Sequence, residues 1–91
     1  MKPEIKPGIV VFSLKGRDKG RMFVVLYELD ADFVSICDGL THPIERPKKK
    51  RLKHLKPIGH ELPEIIKLYE QNRLKNSDVK KALKPLIDSQ S

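Results

Sequence analysis

Apolar residues come in short, closely packed runs over the first two thirds of the chain and at helical spacing over the last third. Gly8 opens the run Ile9-Val10-Val11-Phe12-Ser13-Leu14. A polar segment, residues 15–21, follows with glycines at 16 and 20, and residues 22–29 resume the apolar pattern. Runs of β-branched and aromatic residues bounded by turn formers predict strands. Asp30-Ala31-Asp32 reads as a tight connection, and Phe33-Val34-Ser35-Ile36-Cys37 as a third strand. Asp38-Gly39 is a hairpin signal, because a type I′ turn needs positive φ at both central positions. It predicts that residues 40–44 return as a strand, with Pro43 marking an edge or a bend. Residues 52–56 mix apolar and basic positions and predict a last, half-buried strand. Phe12, Tyr27 and Phe33 are expected in the core.

Beyond Gly59 the period changes. Leu62, Ile65, Ile66 and Tyr69 recur at helical spacing, with Leu68 at the edge of the stripe. Pro63 and Glu64 suit a first turn, where a missing N–H is harmless and the helix dipole favours an acid. Asn76 is expected to end this helix. Ser77 is expected to cap a second one, with Asp78 just inside and Val79, Ala82 and Leu83 as its apolar stripe. Pro85 is expected to stop it, and residues 88–91 to fray. The pattern therefore predicts a mainly β protein: four to five antiparallel strands in residues 1–59, then two short helices in residues 60–91 that pack on them as one compact unit. That many short strands in so few residues suggest a small, strongly curved barrel of SH3-like type.

Composition narrows the function classes. The chain has 91 residues and a net charge of +7, which favours a polyanionic partner. Residues 1–59 hold thirteen Lys/Arg against seven Asp/Glu, and residues 60–91 six against five, so the surplus charge sits on the β part. The single cysteine, Cys37, cannot form an internal disulfide. No stretch has the length of a signal peptide's apolar region or approaches the roughly 20 apolar residues of a membrane span. A cytoplasmic protein with no membrane association is expected.

Two basic constellations stand out. The first is the turn Lys15-Gly16-Arg17-Asp18-Lys19-Gly20-Arg21. Its glycines permit positive φ and let another backbone approach without a Cβ in the way. Basic side chains and open amides around them suit a phosphate backbone, although ordinary turn chemistry also accounts for Gly and Asp. The second is Arg46, Lys48, Lys49, Lys50, Arg51, Lys53 and Lys56, seven cations within eleven residues and no acid among them. Like charges this dense repel one another unless an anion is bound. Leu52 and Leu55 are placed to anchor the run.

Gly8 to Arg21, followed by Val24-Val25, resembles the KOW motif shared by several ribosomal proteins and NusG-type transcription factors. The matching positions are Gly8, Gly16 and the pair Lys19-Gly20. Phe23 stands where many KOW motifs carry another glycine, which lowers the match to the NusG-type branch. It suits better the proteins similar to the archaeal and eukaryotic large-subunit ribosomal protein of the L14e type and their small bacterial relatives. The stretch from Arg46 to Leu55, ending in His54-Leu55, is similar to the basic segment that closes the barrel in that family. The start of the second helix, from Asn76 to Leu83, is similar to its C-terminal helix. The resemblance implies an SH3-like barrel bound to ribosomal RNA, with ribosomal proteins as further partners and a monomer when free.

The site expected on these grounds is Lys15, Gly16, Arg17, Lys19, Gly20 and Arg21 at the turn, with Arg46, Lys48, Lys49, Lys50, Arg51, Lys53 and His54 in the run. An RNA-binding protein of the translation machinery is expected, and not an enzyme; the alternative is a protein-interaction module of the transcription or translation machinery. His42, His54, His60 and Cys37 show no close zinc-ligand spacing, no nucleophile–base or phosphate-cradle motif occurs, and no cofactor is expected. With no Trp and two Tyr, stacking platforms are scarce, which favours recognition of shape and phosphate over reading of unpaired bases.

Overall fold

A computed structural model of the protein describes residues 5–90. The apolar runs form five strands: β1 (Ile9–Ser13), β2 (Met22–Glu28), β3 (Phe33–Cys37), β4 (Lys48–Arg51) and β5 (Leu55–Glu61). They make one antiparallel sheet in the order β4-β3-β2-β1-β5. Two helices follow, α1 (Pro63–Glu70) and α2 (Asn76–Asp88).

The sheet cannot be flat. β4 and β5 are its opposite edges, yet a single 3-10 turn, Leu52–His54, joins them. Four strand spacings would separate flat edges by about 19 Å, and three residues of 3-10 helix advance only about 6 Å. The turn is anchored at both ends: the Leu52 amide donates to Asp32 O (2.8 Å), and His54 O accepts from the Leu14 amide (2.8 Å). The sheet therefore curls until its edges approach, while no ladder joins β4 to β5. Irregularities in the β1–β5 and β2–β3 pairings accompany the curvature, as bulges do in strongly bent sheets.

Curling gives the sheet two buried faces. On the concave face Ile9, Val11, Phe23, Val25, Val34, Ile36 and Leu55 form one core. On the convex face Val10, Met22, Val24, Leu26 and Cys37 form another with Ile65, Leu74, Val79 and Leu83 from the helical region. Strand alternation explains the split: Val11 pairs with Phe23 on the concave side, and Val10 with Val24 on the convex side. Phe12 and Tyr27 pack at the margin of the helix-side core, and Tyr27 stacks on Tyr69 of α1 with ring centroids 6.1 Å apart. Phe33 belongs to neither core, contrary to expectation.

Several boundaries differ from the sequence pattern. Residues 40–44 form no return strand. Asp38 Oδ1 accepts from the Leu40 and His42 amides (both 2.9 Å) and Oδ2 from the Thr41 hydroxyl (2.8 Å), holding a loop instead. The returning strand is β4, inside the basic run. Residues 52–54 are the 3-10 turn and not the start of a strand, and β5 runs through Gly59 to Glu61. α1 ends at Glu70, six residues before Asn76. Asn72 takes φ +57°, and the Asn72 and Arg73 amides donate back to Tyr69 O (3.1 Å) and Leu68 O (2.8 Å), the pattern of a Schellman end.

Asn76 opens α2 and staples it to the 38–47 loop: its side chain accepts from the Ile44 amide (2.8 Å) and donates to the Glu45 carboxylate (3.0 Å). The capping residue is Lys75 and not Ser77; its amide donates to Asp78 Oδ2 (2.9 Å). Gly39, at φ +78°, lies so close that a Cβ there would overlap the Asn76 carbonyl. Pro85 does not stop α2, which continues to Asp88 with Leu86 still packed on the helix-side core.

Candidate nucleic-acid interface

The turn between β1 and β2 is closed by the Ser13 amide donating to Arg21 O (3.0 Å) and the Gly20 amide to Ser13 O (2.8 Å). Within it the Lys19 amide donates to Gly16 O (3.2 Å) and the Arg21 amide to Asp18 O (2.9 Å). Gly16 and Gly20 both sit at φ +83°. A Cβ at Gly20 would meet nothing, so its glycine is required by backbone conformation alone. The amides of residues 15–18 meet no acceptor among the described residues.

Charge inside the turn is divided. Asp18 is buried, with 6% exposure. Its carboxylate lies 3.2 Å from His42 Nε2 and 3.8 Å from Lys48 Nζ. Arg21 lies 3.8 Å from Asp38. Partial burial pushes the Asp38 carboxyl up, but the His42 and Leu40 amides, the Thr41 hydroxyl and the Arg21 charge outweigh it and hold the group below its ordinary value. Asp18 and Arg21 thus tie the turn to the 38–42 loop, while Lys15, Arg17 and Lys19 are exposed.

β4 carries the second set of cations, and its register sorts them. Lys48 pairs with Ile36 and Lys50 with Val34, both concave-face residues. Lys48 reaches Asp18. Lys50, only 8% exposed, donates from Nζ to Lys15 O (2.8 Å), an oxygen that also accepts from the Ser13 hydroxyl (3.0 Å). Its Nζ is 3.5 Å from where a Gly16 Cβ would stand. Lys49 and Arg51 face the other way. Arg51 pairs with Phe33 and Lys49 with Ser35; Lys49 Nζ stands 4.4 Å and the Arg51 guanidinium 4.9 Å from the Phe33 ring centre.

Most of the expected site residues therefore meet. The start of the turn, β4 and the 3-10 turn form one surface: Lys50 bonds Lys15, and His54 O takes the Leu14 amide. His54 is titrated downward by desolvation first, then by the charges of Lys15, Lys53, Arg51 and Lys50 around it. Lys53 is exposed on the 3-10 turn. Arg46 stands apart, in the loop held by Glu45 to the start of α2. Asp18, Asp38 and His42 are structural members, and Phe33 an aromatic member beneath Lys49 and Arg51, that the charge pattern does not single out. Asp18 and Asp38 read as turn formers, and Phe33 as core.

Other chemistry is sparse. Burial, and then the charge of Asp38, push the Cys37 thiol up to about 12, so it stays protonated at neutral pH. Among the described residues no group of His, Cys, Asp and Glu gathers that could hold a metal ion, and no helix is long and apolar enough to cross a membrane. No family model matches the chain, and no curated protein matches it.

Proposed function

We propose that the chain is a non-enzymatic RNA-binding protein of the KOW, SH3-like barrel type, cytoplasmic, monomeric when free, and associated with ribosomal RNA in translation. The observation that carries the reading is the seating of one basic element on another, fixed by the bond from Lys50 Nζ to Lys15 O. It brings two basic segments 35 residues apart in sequence into contact. After Arg21, Lys48 and Lys50 are assigned to internal partners, Lys15, Arg17, Lys19, Lys49, Arg51 and Lys53 remain exposed for phosphates. Gly16 and Gly20 shape the turn's backbone for close approach, and the amides of residues 15–18 add short donors.

Neutralising about six phosphates on loop or single-stranded RNA makes log affinity fall with log salt at a slope of roughly −4. Fluorescence anisotropy of a labelled ribosomal RNA fragment across a salt series measures it. An affinity indifferent to salt overturns the reading.

A protein-binding reading rests on a different surface. A groove of about 460 Å³ between the turn, the 38–40 loop and α2 has apolar lining from Phe12, Met22, Leu83 and Ile87, with Lys80 and Lys84 among its polar residues. Co-sedimentation with ribosomes that survives nuclease digestion favours that surface over the RNA one.

A further inference from the structure

We infer that Phe33, with Lys49 and Arg51 over its ring, is a stacking platform for one unpaired RNA base. The inference rests on the RNA-binding reading and adds to it a ligand that phosphate contacts alone do not select.

Phe33 is one of five aromatic residues in the chain. Phe12, Phe23 and Tyr27 take part in the two cores, and Tyr69 stacks on Tyr27. Phe33 does none of these. It lies on the convex face of β3, outside both cores, and is half-buried with two cations over its ring. Its position is held from both sides. Asp30 Oδ1 accepts from the Asp32 amide (2.8 Å) and the Phe33 amide (3.0 Å), and the ladder sets Phe33 opposite Arg51.

Two like charges share one ring, and neither has a carboxylate partner among the described residues. Exposed cation–π contacts are weak, and they leave both charges without a counter-ion. A nucleotide relieves both features at once: its base supplies a flat face for the ring, and its phosphates supply the missing counter-charge. Arg51 also lines a cavity of about 700 Å³ with Asp32, Leu52, Lys53, Leu55 and Pro57, which leaves open space beside Arg51, with the Asp32 carboxylate able to receive it when a base takes its place. Lys53 stands at the same cavity, where it can meet the next phosphate.

The test compares a hairpin RNA with a uridine loop carrying 2-aminopurine against a blunt duplex of equal length, for the wild-type chain, Phe33→Leu and Phe33→Tyr. The wild type is expected to bind the loop more tightly and to quench the 2-aminopurine. Phe33→Leu is expected to lose about tenfold on the loop, to abolish the quench and to leave duplex binding unchanged. Phe33→Tyr retains both. Equal loss on both RNAs, loss on neither, or a wild type that does not prefer the loop overturns the platform while phosphate binding stands. Failure of the wild type to bind either RNA at low salt overturns the RNA-binding reading itself.

Discussion

On β4, Lys48 and Lys50 point to the concave side and end on Asp18 and on the carbonyl of Lys15, whereas Lys49 and Arg51 point to the convex side and end on an aromatic ring. Four consecutive cations thus divide by strand alternation into a pair that holds the molecule together and a pair with no hydrogen-bond acceptor or carboxylate partner among the described residues. The inner pair fastens the β1–β2 turn to the far edge of the sheet. The outer pair stays exposed over the Phe33 ring. A basic strand is therefore not uniform in role; two of the four cations of β4 are architecture.

The comparison breaks most readily at Asp18, the buried acceptor on the inner side. Asp18→Ala strips Lys48 and His42 of their shared partner and loosens the turn from the loop. The expected cost is about 2 kcal/mol, a fall in melting temperature on the order of 10 °C for a domain of this size. Lys50→Met keeps the apolar stem and removes the bond to Lys15 O, where the Ser13 hydroxyl remains. A smaller loss, about 1 kcal/mol in a urea titration, is expected. By contrast, Lys49→Ala together with Arg51→Ala should change stability by no more than about 0.5 kcal/mol. If the outer pair costs as much as Asp18, the division between the faces fails.

A weaker effect comes with acid. Hydrogen bonds hold the Asp38 carboxyl below its ordinary 3.8. Its contribution to stability is complete above that pH and is lost as the pH falls through the lower folded value. Asp38→Asn should flatten the loss of stability below about pH 4, measured as denaturation midpoints in acid. Some acid sensitivity remains in that variant, because the Asn76 side chain also holds Glu45 low.

The division within β4 also marks where the sequence stops being legible. β1, β2 and β3 lie within one residue of the apolar runs that predict them, because burial on both faces leaves continuous apolar runs that can be read. β4 has no such run: Lys, Lys, Lys and Arg look alike whichever way they face, and only pairing with Val34 and Ile36 reveals the inner members. The Asp38-Gly39 signal is met only at Gly39, which takes positive φ; Asp38 does not, so no type I′ turn forms. The loop it starts is fixed by Asp38's own hydrogen bonds and by Asn76, 32 residues from Ile44, which no local pattern contains. Phe33 looks like core because phenylalanine is usually buried, yet it is half-buried outside both cores. Pro85 reads as a stop, yet Leu86 packs on the helix-side core and the helix continues beyond it.

The most direct test sets the two faces against each other in RNA binding. The salt dependence of affinity is measured for the wild-type chain, for Lys50→Met and for the double variant Lys49→Ala with Arg51→Ala. The double variant is expected to lose about 1.4 from the magnitude of the slope, two phosphates' worth, with its melting temperature unchanged, while Lys50→Met keeps the wild-type slope. A double variant with the wild-type slope, or a Lys50→Met variant that loses as much, contradicts the assignment of the outer face of β4 to the ligand.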